Sequence, residues 1–308
     1  GKFYAIGGRS DTATDLNSTE IFDPVTNSWS PGPSLPRISR SATSVAMDDK
    51  IYLIGGHGSS NLDEVLELDP TTLQWTVKAS LPNGMVCHAS AVWNGKIYVA
   101  GGNNNGDLNS TISYDPKANA WTVLPEMNVQ RVWSSLFVVG DRLYVAGGSH
   151  SSESVFLSSV EVYDPDAKKW VMAGSLPEAK YCSGNAVVGG KIYLFAGRNE
   201  TVVNNKMFVG EPNRIILDRN EPPSLPSHQD RSYQLATSAE NNTSAFVFSA
   251  TDADANDTLY YFLPPATLTG MEWEAEDFSW GTMHINPGSS TGGYASGIGL
   301  IGSSPYFS

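Results

Sequence analysis

The chain is poor in positive charge and in cysteine, and it has no long apolar run. Its 19 Lys and Arg residues stand against 32 Asp and Glu residues, which gives a formal net charge of −13 at pH 7. Because phosphate binding needs a basic surface, this balance argues against nucleic acid or an anionic membrane as a partner. No stretch of the sequence predicts a membrane-spanning segment. The 2 cysteines leave the redox compartment undecided.

The shortage of basic residues is uneven along the chain. Residues 1–217 carry 17 Lys and Arg against 21 Asp and Glu, a net of −4, whereas residues 218–308 carry 2 against 11, a net of −9. We therefore expect two chemically different parts. An apolar content of 40% is enough for a buried core in a chain of 308 residues. The first residue is Gly1, and we expect a fragment or a mature form.

Most of the first part is one unit, repeated. Gly-Gly pairs stand at 7–8, 55–56, 101–102 and 147–148, with Ala196-Gly197 as a weakened fifth, so the intervals are 48, 46, 46 and 49 residues. Each pair ends a run of aromatic and β-branched residues, which favours a β-strand. A regular period of this size is typical of stacked repeats and propeller blades.

Two further marks recur within each repeat. An Asp-Pro pair suits a type I turn, and a Trp five residues after the Pro can pack between sheets. The Asp-Pro pairs stand at 23–24, 69–70, 115–116 and 164–165, and the Trp residues are Trp29, Trp75, Trp121 and Trp170.

These marks resemble kelch repeats over residues 1–217. The resemblance implies an all-β protein whose first domain is a kelch β-propeller with four clear blades and a degenerate fifth. The chain starts at the second strand of a blade, and the fifth unit has lost its Asp-Pro pair and its Trp. It keeps residues 206–209 and 214–217 as possible outer strands. We expect a propeller truncated at its N-terminus, and a five-bladed ring is the alternative.

The variable loops predict where a ligand binds. From each Trp to the next mark the distance is always 26 residues, so the variation in length lies just beyond each Gly-Gly pair. Such insertions gather on one face of a repeat protein. The resemblance implies an acidic or extended peptide as ligand, and Arg suits carboxylates. The alternative is a set of solvated loop tips. The candidate residues are Arg9, Arg40, His57, Asn103, Arg131, Trp133, Ser149, His150, Tyr181 and Arg198.

Residues 218–308 follow a Pro-rich connector and resemble a cadherin repeat, which implies a C-terminal Ig-like or cadherin-like β-sandwich. Grouped carboxylate and amide oxygens are what Ca²⁺ requires. The resemblance therefore implies Ca²⁺ as a possible cofactor, and the alternative is a solvated acidic loop. The candidate ligands are Asp218, Asn220, Glu221, Glu240, Asp252 and Asp254.

The sequence carries no recognisable catalytic set. Cys87 and Cys182 occupy the same repeat position in blades that are not adjacent, which argues for free thiols rather than a disulfide. Cys87 and His88 are neighbours on a predicted strand and so point to opposite faces, which argues against a nucleophile–base pair. We predict a protein that is not an enzyme and has no organic cofactor.

The function we predict is recognition of a protein or peptide ligand. The main hypothesis is a cell-surface or secreted adhesion protein with a calcium-dependent second domain. The alternative is a cytoplasmic substrate adaptor of the ubiquitin-ligase type, whose propeller presents a bound peptide to a partner. A propeller enzyme with a bound transition metal is a third possibility, which would require metal ligands that the sequence does not show.

Overall fold

The computed structural model describes residues 1–150, 155–199 and 206–212, and it adds four short strand segments further along the chain. Those segments are Ala236–Thr237, Phe246–Val247, Met271–Asp277 and Ile298–Leu300. The described residues contain no helix that could cross a membrane.

Five four-stranded antiparallel sheets form the blades of a β-propeller. The first blade contains β1 (Phe3–Ile6), β2 (Thr19–Asp23) and β3 (Ser28–Pro31). The second contains β4 (Thr43–Met47), β5 (Lys50–Ile54), β6 (Val65–Asp69) and β7 (Gln74–Val77). The third contains β8 (Ala89–Trp93), β9 (Lys96–Ala100), β10 (Thr111–Asp115) and β11 (Ala120–Leu124).

The fourth blade carries an extra hairpin within it. Its strands are β12 (Ser135–Val139), β13 (Arg142–Ala146), β16 (Ser159–Asp164) and β17 (Lys169–Ser175), and the hairpin consists of β14 (Ser149–His150) and β15 (Val155–Phe156). The fifth blade contains β18 (Gly184–Val188), β19 (Lys191–Phe195), β20 (Lys206–Pro212) and, after a short hairpin of β21 (Ala236–Thr237) and β22 (Phe246–Val247), β23 (Met271–Asp277).

The first blade takes its inner strand from the far end of the chain. Strand β24 (Ile298–Leu300) pairs with β1 in antiparallel register, so that Phe3 faces Leu300 and Ala5 faces Ile298. The strand that the N-terminus lacks is thus supplied from residues beyond the last repeat. The structure has five blades. This number was the alternative prediction from the sequence.

The fifth blade is complete but interrupted. Its outer strand β23 pairs with β20, and Gly210 faces Trp273 as Tyr163 faces Trp170 in the fourth blade. The strand 206–209 is therefore confirmed within β20, whereas residues 214–217 lie outside the described residues. In the other blades an Asp-Pro turn joins these two strands, and here residues 213–270 stand in its place.

Hydrophobic clusters fill the spaces between neighbouring blades. Tyr4 and Ile21 of the first blade pack with Ile51 and Leu68 of the second. Three further clusters of the same kind join the second blade to the third, the third to the fourth and the fourth to the fifth. The blade strands therefore place large aliphatic and aromatic side chains between sheets, as expected for face-to-face packing.

The Asp-Pro turns form as predicted, and three of the four Trp residues contact a neighbouring blade as predicted. In each turn the Asp carboxylate accepts a hydrogen bond from the N–H two residues further on, at 2.8–3.0 Å. The indole N–H of Trp75 donates to the Pro33 carbonyl at 3.0 Å, and that of Trp121 donates to the Ala79 carbonyl at 2.9 Å. Trp170 donates likewise to the Thr111 hydroxyl at 3.1 Å. Three of the four Trp residues thus bind their blade to the preceding one, whereas Trp29 is 41% exposed.

The predicted second domain stays a prediction. The boundary at 218 and the six candidate calcium ligands lie outside the described residues, as does most of the predicted sandwich. Of the region 218–308 the structure describes the β21–β22 hairpin and the two strands β23 and β24, and these last two pair with the propeller.

The strand pairing predicts the outcome of two deletions. Truncation after residue 217 removes β23 and β24, so we expect loss of cooperative thermal unfolding. Replacement of residues 212–271 by the four-residue turn Pro165–Lys168 keeps both strands, and we expect a cooperative transition and a β-type circular dichroism spectrum. If the truncated chain melts like the full chain, or the excised chain fails to fold, the fifth blade is built differently.

The weakened fifth mark predicts a stabilising substitution. Ala196 has a φ of 55°, a left-handed conformation that costs a residue other than Gly about 1–2 kcal/mol. We expect Ala196→Gly to raise the free energy of unfolding by about 0.5–1 kcal/mol. The matched change Gly147→Ala should lower it by more than about 2 kcal/mol, because an added Cβ would lie 2.2 Å from the Lys180 carbonyl oxygen. Urea denaturation of both variants measures this, and the same sign for both would contradict it.

Candidate binding face

One end of the propeller brings together the two kinds of segment that the sequence singled out. After four of the five marks, the next residue forms a β-bridge with the connector that leads into an inner strand, whereas Arg9, after the first mark, bridges to Asp15. The bridges are Arg40 with His57, Val86 with Asn103, Val132 with Ser149 and Tyr181 with Arg198. We call this end, made of the residues beyond the marks and the connectors that pair with them, the loop face.

The connectors also hold each other through a ring of backbone hydrogen bonds. Cys87 N–H donates to the Ser41 carbonyl at 3.0 Å, Trp133 N–H to the Cys87 carbonyl at 2.8 Å and Cys182 N–H to the Trp133 carbonyl at 3.0 Å. All four residues have left-handed φ values of 53–59°. In the sequence all four stand 12 residues after a Trp, but four side chains other than Gly gave no sign of this conformation.

The two cysteines are free thiols, as predicted. Burial raises the pKa of Cys87 to about 11, so its thiol stays protonated at neutral pH. The neighbouring His88 points into the protein, where its Nε2 lies 3.1 Å from the Ile54 carbonyl oxygen, and burial lowers its pKa to about 4. Cys87 therefore has neither a thiolate at neutral pH nor a base in His88.

On the first two blades the cations of the loop face are already compensated. Arg40 donates from Nε to Asp15 at 3.1 Å, and Arg9 Nε lies 3.4 Å from the other oxygen of the same carboxylate. The Arg40 guanidinium also approaches Nδ1 of His57 at 3.3 Å. Three of the predicted residues, Arg9, Arg40 and His57, thus form one network around Asp15.

A second network joins the third and fourth blades. Asn103 donates from Nδ2 to Asp107 at 2.9 Å, and the other oxygen of Asp107 lies 3.9 Å from Nδ1 of His150. His150 Nε2 lies 2.8 Å from Oε1 of Gln130. Asp107 and Gln130 were not predicted as site residues. Asp107 lies within the variable loop after a mark and could have been included on that ground.

Aromatic rings cover the loop face between the fourth and fifth blades. Phe156 stacks on Tyr181 with ring centroids 5.0 Å apart, and Trp133 lies against Tyr181 at 6.1 Å. Trp133 is 39% exposed. The backbone of Tyr181 exchanges two hydrogen bonds with that of Arg198, at 3.0 and 2.9 Å. The aromatic group is therefore next to a cation.

Arg198 differs from the other arginines of the loop face. Its Nε is buried and has no hydrogen-bond partner among the described residues, and no ion pair joins it to a carboxylate of the described part of the chain. A buried donor without a partner costs about 1–3 kcal/mol, which a bound acceptor would recover. A carboxylate is the acceptor that a guanidinium fits best.

Two predicted residues lie beneath the loop face instead of on it. Ser149 is 4% exposed and Arg131 is completely buried. Arg131 donates to Glu161 at 2.9 Å and to the carbonyls of Gly147 and Ser159 at 2.8 and 2.9 Å. Glu161 is also completely buried. All the contacts of Arg131 are internal, so a ligand on the loop face does not reach it.

The buried pair occupies a position that every repeat fills in its own way. Ten residues after the Trp, the chain has Ser39, Met85, Arg131 and Lys180. Met85 and Ile112 belong to one hydrophobic cluster at the third blade. Their positions in the repeat correspond to those of Arg131 and Glu161 at the fourth blade. Lys180 lies 4.6 Å from the centroid of the Phe208 ring and donates to the carbonyls of Ala196 and Lys206. Burial lowers the pKa of Lys180 to about 8.

This comparison between blades predicts the energetics of the buried ion pair. Arg131→Met or Glu161→Ile alone leaves a buried charge without its partner and should cost about 3–5 kcal/mol. The double variant copies the Met85–Ile112 pair of the third blade and should be as stable as the natural chain, or more stable by about 1–4 kcal/mol. Urea denaturation of the three variants measures this. Additive losses in the double variant would contradict it.

Among the residues that the structure describes, no three His, Cys, Asp or Glu side chains come together as a metal site. What the described loop face offers is hydrogen bonding, charge and aromatic surface, which are means of recognition.

Comparison with known proteins agrees with this architecture. The model of the KLHDC2/KLHL20/DRC7 Kelch-repeats domain matches residues 1–148 and 87–277. Human Kelch-like protein 33 is 35% identical over 60 residues, which are 20% of this chain and 11% of that protein. The chain thus spans about a tenth of the length of that relative. A solved structure titled Structure of YjhT superposes with a TM-score of 0.52 at 22% identity, over 58% of this chain and 64% of that chain. At this identity the superposition shows the fold alone.

Proposed function

Because the chain belongs to the family of KLHDC2/KLHL20/DRC7 kelch-repeat domains, we propose that it is a protein-interaction module whose loop face binds an extended acidic peptide. The observation that carries the proposal is Arg198, whose buried Nε has no hydrogen-bond partner among the described residues and whose backbone pairs with Tyr181, next to the 39% exposed Trp133. The family supports protein recognition in general. The site determines which kind of peptide we propose.

The charges of the loop face favour one position for the acidic group of the ligand. Arg9 and Arg40 already share Asp15, so a ligand carboxylate would compete with an internal one there. Arg198 has no such competitor among the described residues. A carboxylate at Arg198 would satisfy the buried Nε and form a charge-assisted hydrogen bond, which is stronger than a neutral one.

The aromatic rings favour an apolar residue next to that carboxylate. Trp133, Tyr181 and Phe156 form a continuous set from the inner ring of connectors to the β14–β15 hairpin. Aromatic side chains give large contact areas at low entropic cost and are typical of peptide-binding hot spots. We therefore propose a peptide with an Asp or Glu beside an aromatic or branched apolar residue.

Of the two hypotheses drawn from the sequence, we propose the adaptor. The adhesion hypothesis, with its calcium-dependent domain and extracellular location, depended on residues 218–308, and its candidate ligands lie outside the described residues. Similarity to human Kelch-like protein 33 supports an adaptor-type kelch domain in the cytoplasm. In this role the loop face would bind a target peptide and leave the remaining surface for a partner.

A peptide selection tests this function. Phage that display random peptides would be selected on the immobilised full chain, and we expect enrichment of Asp or Glu next to an apolar residue. Fluorescence anisotropy with a synthetic copy of the dominant peptide should show that Arg198→Ala weakens binding at least about tenfold, because a charged hydrogen bond contributes about 1.5–3 kcal/mol.

Arg142→Ala is the matched control. Arg142 begins β13, whose other end carries the Gly-Gly mark, so it lies at the opposite end of the propeller and its removal should leave binding unchanged. Thermal unfolding of both variants verifies the fold. Selected peptides without acidic residues, or equal affinities of the natural chain and Arg198→Ala, would reject the proposal.

A further inference from the structure

In the first two repeats, one residue of the variable loop joins that loop to the next blade. This residue forms a β-bridge with the residue that follows the Gly-Gly mark, and we call it the loop-closing residue. The bridges are Arg9 with Asp15 and His57 with Asn61. The amide of Asn61 donates to the Asn103 carbonyl at 3.4 Å, and the carboxylate of Asp15 accepts from Arg40 at 3.1 Å. The same position thus carries a neutral amide in one repeat and a carboxylate in the other.

The Asp15 carboxylate lies between two guanidinium groups of the loop face. Its Oδ2 accepts from Nε of Arg40 at 3.1 Å, and its Oδ1 lies 3.4 Å from Nε of Arg9. No other carboxylate of the described residues forms an ion pair with either arginine. Two positive groups therefore share one negative group, which leaves an excess of positive charge at this place.

Asp15 fills this place incompletely. The Nε–H of Arg9 donates to the Ala13 carbonyl at 2.9 Å, and the buried Oδ1 of Asp15 has no hydrogen-bond partner in the described part of the chain. A well-matched carboxylate accepts two parallel hydrogen bonds from a guanidinium, whereas Asp15 accepts one bond from Arg40 and none from Arg9. The two arginines can therefore bind a carboxylate more completely than they bind Asp15.

Arg40 is fixed by contacts that do not involve Asp15. Its guanidinium approaches Nδ1 of His57 at 3.3 Å. Its backbone exchanges two hydrogen bonds with that of His57, at 3.0 and 2.7 Å. These contacts keep the guanidinium in place on the loop face when Asp15 is neutral or displaced, and such preorganisation lowers the entropic cost of binding.

We propose that Arg9 and Arg40 form a second carboxylate-binding position on the loop face, and that Asp15 is an internal competitor that occupies it in the free protein. A ligand with one acidic group binds at Arg198 and leaves Asp15 in place. A ligand with a second acidic group at this position must displace Asp15 or meet its negative charge. Like charges placed against a ligand are a means of rejecting the wrong partner. The effect on peptide choice rests on the proposed function, whereas the position itself requires only a carboxylate.

A titration with acetate tests the position without any peptide. Nitrogen-15 NMR of the full chain reports the Nε–H signals of Arg9 and Arg40 at constant ionic strength. We expect half-saturation in Asp15→Asn at an acetate concentration at least about tenfold lower than in the natural chain, because the competing negative charge is gone. Equal half-saturation in the two chains would overturn the proposal.

Asp63→Asn is the matched control for the loss of one negative charge. Asp63 is an exposed carboxylate at the end of the second variable loop, and it forms no ion pair with the described residues. Its replacement should leave the acetate response as it is in the natural chain. The same gain in Asp63→Asn as in Asp15→Asn would mean that net charge alone is responsible, and the assignment to Asp15 would be wrong.

Two further variants secure the result. Asp15→Asn should fold because it copies Asn61, the loop-closing residue of the second repeat, and circular dichroism verifies this. Asp15→Ser is a second neutral variant with the same expected response, which serves if the amide does not fit. Arg40→Gln added to Asp15→Asn should abolish the gain, and a gain that persists would exclude Arg40 from the position.

Peptide selection tests the consequence for the ligand. On Asp15→Asn we expect enrichment of peptides with two acidic residues, and a synthetic copy should bind this variant at least about tenfold more tightly than the natural chain. Equal affinities would contradict the masking role of Asp15. If no acidic peptide binds the natural chain, the proposed function fails and the acetate titration still decides the second position. If the acetate response is absent while an acidic peptide binds through Arg198, the function stands and this inference fails.

Discussion

The constraint on which the propeller depends is the approach of each connector to the Gly-Gly end of the preceding blade. The N–H of the second Gly donates to a connector carbonyl at 2.7–2.9 Å in four successive repeats. A Cβ on the first Gly would lie 2.2–2.7 Å from the same carbonyl oxygen. The four carbonyls belong to Ser39, Met85, Arg131 and Lys180. This oxygen atom therefore explains the first glycine of each pair. The second glycine is needed for a different carbonyl, because an added Cβ on Gly56, Gly102 or Gly148 would lie 2.7–2.9 Å from a carbonyl oxygen of the neighbouring connector.

The same constraint determines what lies beneath the loop face. A connector held by its carbonyl must direct the side chain of that residue into the space between blades, whatever its chemistry. Met85 fits there as an apolar side chain, whereas Arg131 and Lys180 must find partners after they are buried. Arg131 has Glu161, and Lys180 has two carbonyls and the Phe208 ring. The charge at these positions thus follows a backbone requirement and is no sign of a ligand.

Much of the fold could be predicted because the repeat carries its own markers. Glycine with positive φ, the Asp-Pro turn and the packing Trp are each visible as residue types, and their register predicted the strands of the first four blades. The fifth blade was harder, because its outer hairpin is formed by residues separated by the stretch 213–270. Trp273 has the register of the repeat, but pairing over that distance leaves no periodic signal. The strand β24 is a similar case, since three residues far along the chain complete the first blade.

The position of the loop face in the propeller could be predicted from the sequence. Which side chains lie on it could be predicted only in part. The variable loops gather at one end of the propeller as the sequence predicted, and Arg198, His150, Tyr181 and Trp133 lie at that end. Arg131 was a wrong inclusion on chemical type alone. Its repeat position, which Met85 occupies in the preceding unit, was the signal against it. The left-handed ring of Ser41, Cys87, Trp133 and Cys182 could not be read at all, because these residues do not favour that conformation.

The departures from the repeat are concentrated on the fourth and fifth blades, where we propose that the ligand binds. The buried ion pair, the extra hairpin, the aromatic set and the Arg198 guanidinium all belong to this side of the ring. Repeats whose only role is to build the ring can all use the same residues for the same turn, as the four Asp-Pro turns do. A buried hydrogen-bond donor without a partner lowers stability. Such a feature is expected to persist only where another interaction compensates for the loss. For Arg198 Nε no acceptor lies among the described residues, and the acidic ligand that we propose would supply one.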